Sequence, residues 1–339
     1  ILSGLVGSEM CIRDRLLSLL VSGILLAACN GSHTAKDNSS TASTSATSVP
    51  AANSAVVKDT NAVSVTQNDE EVAVAQKELL KVLSIQEEVT SGMLAYSKNA
   101  GPINPQDQQQ GVKFEEELHR LGEEMQSKLD SLNVTNQDVK DFLAVQKEFS
   151  EASNKVHSSV SQINKETASG KLSEASQSLL KEMQAAQAKV LQQQVALVGK
   201  FSQLGKPTPA KEILQLKNIQ NKEAIELASG VQGLFNKGEK ASEETAKRFN
   251  EVSSKVNRQV MGDLKALVIQ TPDVEAYRQQ LVALAKTKEK IFSSFEKVAK
   301  LAKAKQPLDE ASKQIFTQFQ QQTIDAQKKG AELLAKYAQ

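Results

Sequence analysis

Tryptophan is missing from all 339 residues, and aromatic side chains make up only 4% of them. Surfaces that stack sugars or single-stranded nucleic acid rely on exposed aromatic platforms, so both are disfavoured. A dominant charge is also missing: 41 Lys and Arg against 40 Asp and Glu leave a formal net charge of +1. No global field therefore directs the chain towards nucleic acid. Cysteine occurs twice, at Cys11 and Cys29, so the long remainder has neither disulfide nor thiolate chemistry. An oxidising compartment stays compatible with this, because a large helical domain needs no staples. Histidine occurs three times, at His33, His119 and His157. No haem attachment motif, zinc-type cluster, phosphate-binding Gly-rich loop or Ser/His/Asp grouping can be assembled. The expectation is a non-enzymatic protein with no catalytic, cofactor-binding or metal-binding residues. No apolar hairpin of the pore-forming kind occurs after residue 30.

The N-terminal region carries the one motif with a defined chemistry. Residues 16 to 28 read Leu-Leu-Ser-Leu-Leu-Val-Ser-Gly-Ile-Leu-Leu-Ala-Ala, with Arg13 and Arg15 before them and Cys29 after them. The run is too short for a permanent bilayer span and suits the apolar region of a secretory signal. Leu26-Ala27-Ala28-Cys29 resembles the lipobox of bacterial lipoproteins. That resemblance implies a signal peptide over 16–28, cleavage before Cys29, and lipidation of the Cys29 thiol. Two or three acyl chains anchor stably where one is marginal. It also implies a place in the bacterial cell envelope. Asn30, where Asp would favour inner-membrane retention, points to the outer membrane, on its periplasmic or surface side. Residues 1–15 resemble a translated sequencing-adapter tail. Position 1 is Ile and not Met, so the native start is expected to be missing, and the segment is assigned no function.

Residues 29–69 hold the lipidated Cys and a Ser-, Thr-, Ala- and Asn-rich stretch without helical or strand period. Such a composition predicts a disordered tether, with a root-mean-square span of roughly 35 Å.

From about residue 70 apolar side chains recur at helical spacing. Three stripes are clear: Phe114, Leu118, Leu121, Met125, Leu129; Phe142, Val145, Phe149, Ala152, Val156, Ser159, Ile163; and Val274, Tyr277, Leu281, Leu284, Lys288, Ile291, Phe295, Val298. Prolines 102, 105, 207, 209, 272 and 307 all fall between the periodic segments. Asn104-Pro105, Thr208-Pro209 and Thr271-Pro272 each place an N-cap residue before a first-turn proline, and Thr135 and Ser242 are further N-cap candidates. The pattern predicts an all-α fold with eight helices, near 70–99, 106–132, 136–167, 172–203, 209–236, 242–268, 272–303 and 308–338.

The helical part also matches itself at a shift of about 135 residues. Phe114, Leu121, Met125, Leu129 and Leu132 align with Phe249, Val256, Val260, Leu264 and Leu267. Asp138-Val139 aligns with Asp273-Val274, and Ser158-Ser159 with Ser293-Ser294. One residue of slippage then pairs Leu172-Ser-Glu-Ala-Ser176 with Leu308-Asp-Glu-Ala-Ser312. The expected architecture is an internal duplication: two tandem antiparallel four-helix bundles, 70–204 and 207–339, joined near Gly205-Lys-Pro-Thr-Pro209.

Several side chains stand out within the helices. Glu116 and His119 have the Glu-x-x-His spacing of di-iron carboxylate bundles, but the second such pair is absent, because Ser254 occupies the position matching His119. A solvated His119 and a boundary His157 are expected. Gln193 or Gln194, Lys288 and Gln322 sit in apolar stripes, where they can set register or snorkel. Gln clusters at 108–110, 192–194 and 320–322 read as solvated faces. Lys286, Lys288, Lys290, Lys297, Lys300, Lys303 and Lys305 could touch an anionic lipid or polymer, although Glu289 and Glu296 interrupt them. The functional expectation is a lipid-anchored helical scaffold, adaptor or binding module. Its partners would be the membrane, through the anchor, and an envelope protein, with no nucleic acid and no cofactor. The alternative is a small-ligand receptor with a cavity between helices near Gly92 and Gly230, delivering ligand or signal to another protein.

Overall fold

The computed structural model describes residues 68–100, 108–168, 172–235, 243–303 and 306–339. Cys29, the signal segment, nearly all of the tether, Asn104, Pro105 and Ser242 lie outside them. The described elements are all helices: α1 (Asp69–Ala100), α2 (Gln108–Asp130), α3 (Gln137–Ser158), α4 (Val160–Ala168), α5 (Glu174–Gln203), α6 (Pro209–Phe235), α7 (Glu243–Ala266), α8 (Pro272–Lys303) and α9 (Glu310–Tyr337). The protein is all-α among the described residues.

Proline-led starts hold at α6 and α8. Thr208 caps α6 by accepting a hydrogen bond from the Lys211 N–H at 3.1 Å. The predicted helix over 136–167 is interrupted. Ser159 takes φ −104°, ψ 3°, and its N–H turns back to the carbonyls of Val156 and His157. The Ser158 hydroxyl donates to the Asn154 carbonyl, a bond that bends helices. The matching Ser293 makes the same bond to Glu289 inside an unbroken α8. The neighbouring residue differs: Phe292 is buried in the second half, where its counterpart His157 is half-buried. A second correction concerns Thr135. The cap of α3 is Asn136, and Thr135 serves another purpose described below. A third concerns Leu118, which is 44% exposed despite its place in the apolar stripe.

α1 and α6 differ from the other helices. Val72, Ala75, Leu79, Leu80, Val82 and Leu83 are buried on α1, and Ala210, Ile213, Leu214, Leu216 and Ile219 on α6. Consecutive buried residues mean a helix covered over most of its circumference, with one edge left exposed on α1 at Val74, Lys77 and Lys81. Packing explains this. α1 lies against α2, α9 and α6, and α6 lies against α5, α7 and α1. By contact the helices form two closed circuits of five, α1–α2–α3–α5–α6 and α6–α7–α8–α9–α1, sharing the α1–α6 edge. Neither half closes mainly on itself. α5 packs extensively on α6 and α9 on α1, while α1–α5 and α6–α9 contacts are slight. The core runs without division through 205–209, joining Val72, Phe142 and Phe201 to Val274 and Leu334. An apolar stripe specifies a buried face and leaves open which helix covers it, so the sequence pattern fits either arrangement.

Matching interactions occur in both halves. Buried Glu78 on α1 accepts from the Thr135 N–H at 2.6 Å, the Thr135 hydroxyl at 2.7 Å and the Asn136 N–H at 2.9 Å. Buried Glu212 on α6 accepts from the Gln270 N–H at 2.7 Å and the Thr271 N–H at 3.1 Å. Lys200 bonds Asp138 at 2.6 Å, and Lys336 bonds Asp273 at 2.7 Å. Ser173 caps α5 through the Ser176 N–H, and Asp309 caps α9 through the Ser312 N–H. Phe142 and Tyr277 occupy matching core positions, at 0% and 2% exposure.

Two outcomes follow from this packing. Phe142→Ala, a fully buried truncation in the first half, is expected to cost about 3–5 kcal/mol. It should lower a single melting transition, with amide exchange accelerated in both halves; a loss confined to the first half would contradict the shared core. Burial pushes the Glu78 carboxyl up, but the hydrogen bonds from Thr135 and Asn136 outweigh it, so its pKa lies below the ordinary glutamate value. A folded pKa below the unfolded one gives stability that is present above the unfolded value and lost as pH falls through the folded one. Glu78→Gln should therefore destabilise by about 1–3 kcal/mol at neutral pH. It should also flatten the acid limb of a urea-melt series taken downwards from the ordinary carboxylate range.

Candidate functional site

Cys29, the single assigned site residue, lies outside the described residues. Among the described candidates, the two histidines come together. His119 on α2 and His157 on α3 stack with ring centroids 3.7 Å apart and planes 22° from parallel. His119 is thus half-buried against another ring, not solvated. His119 Nδ1 also lies 3.7 Å from Glu123. Desolvation of the nearby Glu115 carboxyl outweighs the attraction of His157 and holds its pKa above the ordinary value. Stacked rings present faces to each other, and in-plane nitrogen lone pairs then cannot converge on one ion. Among the described residues no group of three or more His, Cys, Asp or Glu could hold a metal.

The glycines singled out for a cavity are contact points. A Cβ on Gly92 would lie 2.8 Å from Leu121 Cδ2, and one on Gly230 would lie 2.4 Å from Val252 Cγ1. In each hairpin an aliphatic side chain fills the space that the glycine leaves.

A polar seam crosses the shared edge of the two circuits. Lys217 on α6 lies 3.2 Å from Glu87 on α1, the two side chains being 20% and 17% exposed. Burial acts to lower the Lys217 pKa, but the Glu87 carboxylate outweighs it and Lys217 titrates above its ordinary range. Beside it, burial pushes the Tyr277 phenol up. Gln220 donates to the Tyr277 hydroxyl at 3.3 Å. Lys288, the lysine in the α8 stripe, meets Glu223 of α6 at 2.6 Å with both side chains largely buried. One-to-one buried pairs of this kind fix how helices slide along each other more than they add stability. Of the remaining lysines on the C-terminal face, Lys297 meets Asp309 at 2.6 Å, and the side chains of Lys300, Lys303 and Lys305 fall outside the description. Gln322 is half-buried, and its Oε1 has no partner among the described residues.

An open groove of about 410 Å³ runs along the outer side of α8. It is lined by the stripe Lys286, Glu289, Lys290, Ser293 and Ser294, with Met261 of α7 and Ile315 of α9 beside it. The spacing i, i+3, i+4, i+7, i+8 keeps the stripe on one helix face. Glu289 is engaged from behind, by Asn257 at 3.2 Å and Arg258 at 3.3 Å. The Ser293 and Ser294 hydroxyls donate to their own helix carbonyls, which leaves their oxygen lone pairs outward. Sequence reasoning singled out the lysines but not the groove, because Met261 and Ile315 come from other helices.

The seam generates a test. A Cβ on buried Gly330 would sit 2.7 Å from the Tyr277 hydroxyl. Gly330→Ala should destabilise by about 1–3 kcal/mol through overpacking. Tyr277→Phe removes the obstructing oxygen, so the double variant should melt above the sum of the singles, a coupling that a double-mutant cycle reads directly. Additive effects would show that the two side chains do not meet. No protein-family model, no curated protein and no solved structure matches this chain.

Proposed function

We propose that this chain is a lipid-anchored protein of the bacterial cell envelope. Its helical body acts as a non-enzymatic scaffold, adaptor or binding module, held by Cys29 to a membrane, with the outer membrane indicated by Asn30. The observation that carries the anchor is the run Leu26-Ala27-Ala28-Cys29 at the end of an apolar segment and before a long polar stretch. The body's membership of the module class rests on its surface. Exposed apolar side chains such as Val74, Val112, Ile225 and Ile324 stand on several helices, and a groove opens on α8. No described helix is long and apolar enough to cross a membrane. We further propose that the body is a duplicated four-helix unit. The paired Glu78/Glu212 caps, Asp138–Lys200 and Asp273–Lys336 bridges, and Ser173/Asp309 caps support that reading.

A small-ligand receptor is the second reading. Ser253 and Asn257 are each 1% exposed, and Ser253 Oγ and Asn257 Oδ1 lack partners among the described residues. Buried oxygens of this kind are normally satisfied, so a polar small molecule between α7 and its neighbours would suit them. Ser253→Ala would then abolish ligand-induced thermal stabilisation.

The anchor is tested in cells. Cys29→Ser should abolish metabolic labelling with a palmitate analogue and move the protein from the membrane to the soluble fraction. Unchanged labelling would overturn the proposal.

A further inference from the structure

We propose that the α8 groove is a docking site for an acidic, amphipathic helical segment of a partner protein. The inference rests on the binding-module reading and deepens it. Lys286 and Lys290 stand four residues apart along the groove, both exposed, and among the described residues neither ammonium has an ionic partner. Their neighbours are neutralised: Lys288 by Glu223, Lys297 by Asp309, and Glu289 by Arg258. The groove therefore carries two uncompensated positive charges beside two apolar side chains.

The first half supplies an internal comparison. The matching stripe on α3 reads Glu151, Asn154, Lys155, Ser158 and Ser159. There the lysine matching Lys290 is paired, Lys155 meeting Glu182 of α5 at 2.6 Å. The position matching Glu182 is Gln318, and the position matching Lys286 is Glu151. The residue matching Met261 is Gln126. Three differences thus coincide on one surface. A lysine stands where the first half has a carboxylate, a second lysine has a neutral residue where the first half has its partner, and an apolar side chain stands where the first half has a polar one. Together they favour an occupant that is both anionic and apolar.

Geometry selects among anionic occupants. The stripe from Lys286 to Ser294 spans about two helical turns, roughly 12 Å, with the half-buried Met261 and Ile315 beside it. A flat lipid surface would meet the exposed lysines but reach those two side chains poorly. A phosphate polymer would gain nothing from them. A helix with carboxylates at i and i+4 and apolar residues one turn away meets the lysines and the two apolar side chains at once, the helix-in-groove mode of recognition. Charge at the rim steers encounter, and apolar contact holds the complex.

The test selects binders from a library of random 16-residue peptides with the purified full chain, alongside vesicles of phosphatidylglycerol as a second probe. The expected result is enrichment of peptides pairing Asp or Glu at i, i+4 with apolar residues at helical spacing. Lys286→Glu with Lys290→Glu should weaken them at least tenfold, and Met261→Gln should weaken them without changing their salt dependence. Both lysines are exposed, so melting of the double variant should be unchanged; Lys286→Ala with Lys290→Ala is the milder check. Absence of acidic enrichment, or lysine-dependent binding to vesicles but not to peptides, would overturn the proposal. So would peptides that bind the reversed variant equally well. That last outcome would leave the binding-module reading standing, and none of them bears on acyl labelling of Cys29.

Discussion

Helix ends that enter a waterless core must find partners inside the protein, and this fold depends on how two central helices supply them. The first turns of a helix carry N–H groups without intrahelical acceptors, and the last turns carry orphan carbonyls. In this protein the connection from α2 to α3 and the one from α7 to α8 both come down onto buried carboxylates, Glu78 and Glu212. Gln76 does the complementary task on α1. Its amide donates to the carbonyls of Phe201 and Leu204 at 2.9 and 3.1 Å, at the end of α5. A buried carboxylate alone would cost several kcal/mol; with two or three donors fixed around it, it becomes the acceptor for a whole loop. Central helices can serve loops on several sides, which is why these polar residues are on α1 and α6 and not on the outer helices.

The shared edge makes the halves interdependent while keeping them alike. Each circuit is completed by the first helix of the other half. The first and last helices of a half thus face across the boundary. The Lys217–Glu87 pair lies on that edge, where apolar surfaces by themselves would tolerate sliding. Resemblance between halves then becomes an instrument. Where a cap or bridge recurs, the position serves the fold. Where the halves differ, as between Glu151 and Lys286 or Glu182 and Gln318, the recurring caps and bridges do not involve the residue.

Much of the helical layout was legible in the sequence. Prolines 209 and 272 open helices where the cap-proline pairs put them, and the stripes through Phe142 and Val274 are core. What was not legible lay between elements. The His119–His157 stack joins residues on different helices, and periodicity along one helix holds nothing about rotation of the next. The break at Ser159 was hidden because its counterpart Ser294 stays helical. Closure across the halves did leave a trace. Leu79-Leu80-Lys81-Val82-Leu83 and Ile213-Leu214-Gln215-Leu216 are apolar on too many faces for peripheral helices, a signal that a stripe-by-stripe reading treats as noise. Of the groove, its two lysines could be picked out; that neither pairs with a described carboxylate required the register of α8 against α6, α7 and α9.

The packing of α9 on α1 has a consequence for the order in which the molecule can be made. Among the described helices α1 is the first to be synthesised, and one of its principal partners, α9, is the last. Contacts between chain segments so far apart cannot form early. A chain emerging from its N-terminus must therefore hold the α9-facing surface of α1 uncovered while α2 to α8 appear. Local hairpins such as α7–α8 can form meanwhile, but the second circuit stays open until Leu333, Leu334 and Ala338 arrive. Incomplete chains would display apolar surface that the finished fold buries, which is the condition under which folding chains aggregate or engage chaperones.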